Sequence, residues 1–88
     1  MHTAGPYVVQ HPTLACSSEA ILVTITECNN AKALLDPRSA AVGQENYAEA
    51  PKGCSRFKGK WYFNTHATGK IDGESEPVCK PAAGESNG

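Results

Sequence analysis

The four cysteines constrain this chain more than any other feature. Cys16, Cys28, Cys54 and Cys79 are an even number, widely spaced, in a sequence of 88 residues. Zinc sites in short domains bring ligands in close pairs such as CxxC, and no such pair occurs here. The pattern predicts disulfides rather than a metal centre or free thiols, and with them an oxidising compartment. Chain length supplies the physical need. A chain of this size forms one domain and buries roughly 60 to 65% of the surface its unfolded form exposes, so its core is thin and needs staples. The aromatic anchors available to that core are Tyr7, Tyr47, Phe57, Trp61, Tyr62 and Phe63, and the aliphatic residues cluster in 20–25 and 31–35.

Charge and hydropathy exclude some classes. A net charge of −1 argues against a nucleic-acid binder, which carries a basic surplus. No run approaches the roughly 20 apolar residues of a membrane span, so no membrane insertion is expected. Met1 to Pro12 lacks both the basic start and the apolar run of about 7 to 15 residues of a secretory signal. The expectation is a secreted or extracellular protein trimmed of its leader, with Met1 as an expression start.

Along the chain, residues 1–6 read as a loose entry and Tyr7 to Gln10 as a short edge strand ended by His11 and Pro12. Ser17 to Glu19 make a turn. Ile21 to Val23 suit a buried strand, after which Thr26 is placed as the N-cap of a helix over about 27–35, with Glu27 where the helix dipole favours an acid. Cys28, Ala31, Leu34 and Leu35 fall on one helical face, and Pro37 stops the helix. Residues 38–50 read as a long surface loop from which Tyr47 folds back onto the core.

The segment CSRFKGKWYFN then carries two β-prone runs flanking Lys58 and Gly59, the spacing of a tight hairpin over about 54–64. Strand alternation sends Trp61 and Phe63 to one face, read as core, and Tyr62 to the other, left half exposed. After a turn-rich stretch, Val78 and Cys79 form a closing strand fragment, and residues 81–88 are a polar tail expected to be disordered.

Catalysis finds little support. The candidates are His2, His11, His66 and scattered carboxylates, with His66 approaching an acid such as Asp72, yet no GxSxG, HExxH or phosphate-cradling loop occurs. No catalytic residue, metal or cofactor is predicted. Asp72, Glu74 and Glu76 alternate carboxylates without the DxDxDG calcium pattern and read as a solvated acidic turn. No asparagine stands in a glycosylation sequon. Binding is the better class: Trp61 and Tyr62 with Arg56, Lys58, Lys60 and His66 place amphipathic and cationic groups on or next to a rigid hairpin, a platform able to stack on sugar rings or grip anionic polymers. Set against it is the plainer reading in which Trp61 and Phe63 are simply core and the lysines keep a strand edge soluble.

Thr26-Glu27-Cys28 with Ala31 and Leu34, Pro51-Lys52-Gly53-Cys54, Tyr62-Phe63-Asn64 with Gly69, and Val78-Cys79-Lys80 together resemble a four-cysteine module of marine protists and algae. That module follows the pattern EC..A...L, P.GC, vyFN and iCk, and the likeness spans about residues 7–80. The resemblance implies a modular, often exported domain and adds no catalytic residue.

Four cysteines allow three pairings, among which spacing does not decide. The pairing expected is Cys28 with Cys54, tying helix to hairpin, and Cys16 with Cys79, closing the two ends. The fold expected is a small disulfide-stabilised α+β domain over 7–80, with one short helix packed on an antiparallel sheet of three or four short strands. The function expected is a monomeric, non-enzymatic binding or structural module with a polysaccharide or an extracellular protein as partner. The alternative is a secreted effector, toxin or inhibitor acting on another protein.

Overall fold

In the computed structural model, which describes residues 7–80, five strands form one sheet: β1 (Val8–Val9), β2 (Gly43–Glu45), β3 (Gly53–Phe57), β4 (Lys60–Asn64) and β5 (Glu76–Cys79), in the order β1-β5-β3-β4-β2. One helix, α1 (Ile25–Leu35), packs on it, and a single 3-10 turn spans Ser18–Ala20. The expected α+β class stands. The loose segment at 1–6 and the tail at 81–88 lie outside the described residues.

The hairpin of β3 and β4 is the centre of the sheet, with Cys54 opposite Phe63, Ser55 opposite Tyr62 and Arg56 opposite Trp61. Its turn is Lys58-Gly59, with φ of 52° and 80°. A two-residue turn with both central residues left-handed matches the twist of the strands it joins, and glycine at the second position takes that conformation without a Cβ clash. Cys54, Trp61, Phe63 and Val78 pack with Cys28, Ala31, Leu22 and Val42 into the core. Trp61 is 1% exposed, so the tryptophan belongs to the core as alternation predicts.

The helix begins two residues earlier than its sequence suggests. Thr24, not Thr26, is the N-cap: its Oγ1 accepts from the Glu27 N–H at 3.1 Å, while Glu27 Oε1 accepts from the Val23 N–H at 2.9 Å. The first bond satisfies a backbone donor that the first turn leaves unpaired, and the second ties the residue before the cap to the helix. At the other end the Asp36 N–H donates to Lys32 O at 2.7 Å before Pro37 ends the run. Cys28 and Ala31 are fully buried and Leu35 is half-buried, but Leu34 is 59% exposed. The buried stripe is therefore narrower than four residues. Small side chains at its centre let the helix approach the sheet, and the Cys28–Cys54 disulfide fastens it there.

The second disulfide, Cys16–Cys79, ties the entry segment to β5. Both disulfides match the expected pairing, and no cysteine is free. Around Cys16–Cys79 the chain ends are also sewn by backbone bonds: β1 pairs antiparallel with β5, Lys80 N–H donates to Ala20 O at 2.8 Å, and Gln10 N–H donates to Pro77 O at 2.8 Å.

Residues 38–50 depart from the expected loop. Val42 is buried in the core, and β2 pairs parallel with β4, Gly43 against Tyr62 and Glu45 against Asn64. The sheet thus has five strands and one parallel edge. Tyr47 does not fold onto the core; it is 56% exposed. Nor is all of the 21–23 segment buried: Leu22 is, but Val23 is 67% exposed.

Candidate functional site

The register of the hairpin divides the sequence-predicted site residues between two faces. Arg56 lies opposite Trp61 and Glu76, on the helix side of the sheet. Its Nε donates to Glu76 Oε1 at 2.8 Å, and its Nη1 stands 4.0 Å from Asp36 Oδ2. Asp36 also accepts the Trp61 Nε1–H at 3.2 Å. That bond, more than the nearby Arg56 charge, holds the Asp36 carboxyl below its ordinary value of 3.8. Arg56 is thus a structural cation joining helix end, hairpin and β5.

Tyr62 lies on the opposite face, across from Ser55, and Lys60 lies there too, across from Phe57. Lys58 occupies the turn, its Nζ 5.2 Å from the centre of the Phe57 ring. His66 follows β4 in a loop, where its Nδ1 accepts from the Thr68 N–H at 3.1 Å. Asp72 is bound within its own turn: its Oδ1 accepts from the Glu74 and Ser75 N–H groups at 2.8 and 2.7 Å, and its Oδ2 from the Ser75 hydroxyl at 2.8 Å. Among the described residues no hydrogen bond joins His66 to Asp72. The five predicted residues therefore do not form one surface.

What the Tyr62 side does form is a groove of about 300 Å³, lined by Glu45, Tyr47, Ala50, Phe57, Tyr62, Asp72, Glu74 and Ser75. Its floor is the outward side of β3 and β4, and its walls are the segments after β2 and before β5. Asn64, at the end of β4 and 1% exposed, fixes the first of those walls. Its Oδ1 accepts from the Tyr47 N–H at 2.9 Å and the His66 N–H at 3.1 Å. Its Nδ2 donates to the carbonyls of Tyr47, Ala50 and Pro51 at 2.7, 3.0 and 3.1 Å. A buried side-chain amide can hold two irregular segments at once because it carries both donors and acceptors. Gly69 closes the arrangement: a Cβ there would lie 2.6 Å from Ala50 O and 2.9 Å from Asn64 Nδ2, so only glycine fits.

The groove's acids differ in environment. Partial burial, reinforced by the negative charge of Asp72, raises the Glu45 carboxyl above its ordinary 4.5. For Asp72 burial acts the same way but is outweighed by the Ser75 and Glu74 N–H groups and the Ser75 hydroxyl, leaving its carboxyl below 3.8. Among the described residues no three His, Cys, Asp or Glu side chains are grouped to hold a metal ion. A second recess of about 330 Å³ between Ile21–Val23 and Phe63 is lined by these apolar residues, by Gly53, Asn64 and Thr65, and by one charge, Lys52.

Of the groove residues, the sequence singles out Tyr62 for binding. Tyr47 and Glu45 fall in 38–50, which reads as a loop. The signal that bears on them is Asn64 itself, a polar residue ending a strand whose neighbours are core. No helix among the described residues is long and apolar enough to cross a membrane. Compared with family models, curated proteins and solved structures, the chain finds no match.

Proposed function

We propose that this domain is a non-enzymatic binding module of an exported protein, of the four-cysteine kind its sequence resembles, and that it takes its ligand, a glycan or another protein, on the Tyr62 side of the hairpin. The observation that carries this reading is the grouping of Tyr47, Phe57 and Tyr62 around one open groove. Aromatic faces held by a rigid scaffold give large contact area at little entropic cost, and here the scaffold is a hairpin fastened by a disulfide. Two disulfides favour an oxidising compartment, hence export. Catalysis is disfavoured because His66 and Asp72 are bound to their own loops and all four thiols are bridged.

The test is amide-shift mapping of isotope-labelled protein against neutral and charged oligosaccharides and short peptides. Perturbation centred on 45–47, 57–62 and 72–75 is the expected result. Binding centred on the helix, or no response to any ligand of either class, would contradict it. Trp61 fluorescence is a poor reporter, since the ring is buried on the other face.

A further inference from the structure

The groove has a definite electrostatic sign. Its charged groups are Glu45, Asp72 and Glu74, and no lysine, arginine or histidine lines it. Asp72 is committed to its turn. The Glu45 carboxylate, half-buried on β2, has no hydrogen-bond or ion-pair partner among the described residues. A carboxylate in that position is penalised by burial and by its acidic neighbour, and an incoming cation relieves both. The acids stand around the groove instead of converging on one point, which suits an extended organic cation better than a bare metal ion. The rings of Tyr47 and Tyr62 add negative π faces, which attract ammonium and guanidinium groups. The molecule already uses this chemistry once, in the Lys58 ammonium over Phe57, so that ring is taken by the chain's own cation. At about 300 Å³ the groove is at the small end of ligand clefts, matched to a single long side chain.

Given the binding surface proposed above, we infer that the groove accepts a lysine or arginine side chain from a basic segment of a partner protein, its cationic group against Tyr47 and Tyr62 and beside Glu45 and Glu74. Glu45 supplies the charge, the tyrosines supply the faces, and the alkyl stem of the guest covers the apolar floor.

The experiment titrates labelled protein at low salt with a short oligolysine, an oligoglutamate of equal length and a neutral oligosaccharide. Oligolysine is expected to shift the amides of Glu45, Tyr47, Tyr62 and Glu74, with binding weakened by added salt. Glu45→Gln and Tyr47→Ala are each expected to weaken it about tenfold, the scale of a lost cation–π or charge contact. Both variants should keep the wild-type melting temperature: one removes a half-buried charge, and the other truncates a largely exposed ring whose backbone holds the contacts to Asn64. Oligolysine that fails to bind while the saccharide shifts the same amides would overturn the cationic ligand and leave the groove as the binding surface. Silence of the groove toward all three probes would overturn both. Oligolysine binding untouched by either substitution would also overturn the inference, as diffuse charge attraction.

Discussion

The side chain of Asn64 is hydrogen-bonded to both backbone groups of Tyr47, accepting from its N–H at 2.9 Å and donating to its C=O at 2.7 Å. The amide thus acts as a further rung beyond Glu45, where the pairing of β2 with β4 ends. Through it the core end of the hairpin determines where an exposed aromatic ring is presented.

Replacing Asn64 should therefore release the groove wall that follows β2. Asn64→Asp is the sharper probe, being nearly isosteric but setting an acceptor against the carbonyls of Tyr47, Ala50 and Pro51. A loss of about 2–4 kcal/mol in chemical denaturation is expected, the range for leaving several buried polar groups unsatisfied. Hydrogen exchange should rise first in 46–51 and 65–69. Uniform exchange across the domain would show that Asn64 is not the local clamp.

Reduction should unfold the domain. Closing loops of 63 and 26 residues stabilises by about 4.3 and 3.5 kcal/mol on the chain-entropy account, against a typical total of about 5–15 kcal/mol. The helix buries only Cys28 and Ala31 fully, with Ile25 and Leu35 partly packed, so loss of Cys28–Cys54 should melt α1 soonest. Circular dichroism and melting curves in excess reductant are the measurement, and unchanged curves would remove the claim.

Acid should destabilise the fold through Asp36 and Asp72. Both have folded-state values below the ordinary 3.8, so each contributes stability that is present above that value and lost as pH falls through the lowered one. Asp36→Asn should lower stability at neutral pH, weakening the Trp61 and Arg56 contacts, and flatten the decline toward about pH 2. Denaturant midpoints across that range check it; an acid limb as steep as that of the wild type would rule out Asp36 as a contributor.

The legible parts of the fold are those whose signals are local. The Lys58-Gly59 turn is flanked by β-prone runs, so the hairpin and the burial of Trp61 and Phe63 follow from alternation alone. The helix is legible in its stripe and its proline stop, and its true start carries a signal as well: Thr24 and Glu27 stand in the capping-box spacing, which Thr26 and Glu27 do not. The strand β2 is not legible, because three residues, one of them glycine, have no period to read and pair parallel with a distant partner. The groove depends on that strand and on Asn64, so its other members carry no local signal, whereas Tyr62 does. Arg56 and Tyr62, grouped as one basic and aromatic surface by composition, are parted by the same alternation that buries Trp61.

Whether a cationic guest is held by the aromatic groove or drawn by the chain's acids in general is decided most directly by comparing oligolysine affinity in Tyr47→Ala and Glu19→Gln proteins with that of the wild type. The account predicts that Tyr47→Ala loses about tenfold in affinity while Glu19→Gln, which removes an exposed acid outside the groove lining, loses little. Undiminished binding by Tyr47→Ala, with or without loss in Glu19→Gln, would contradict it.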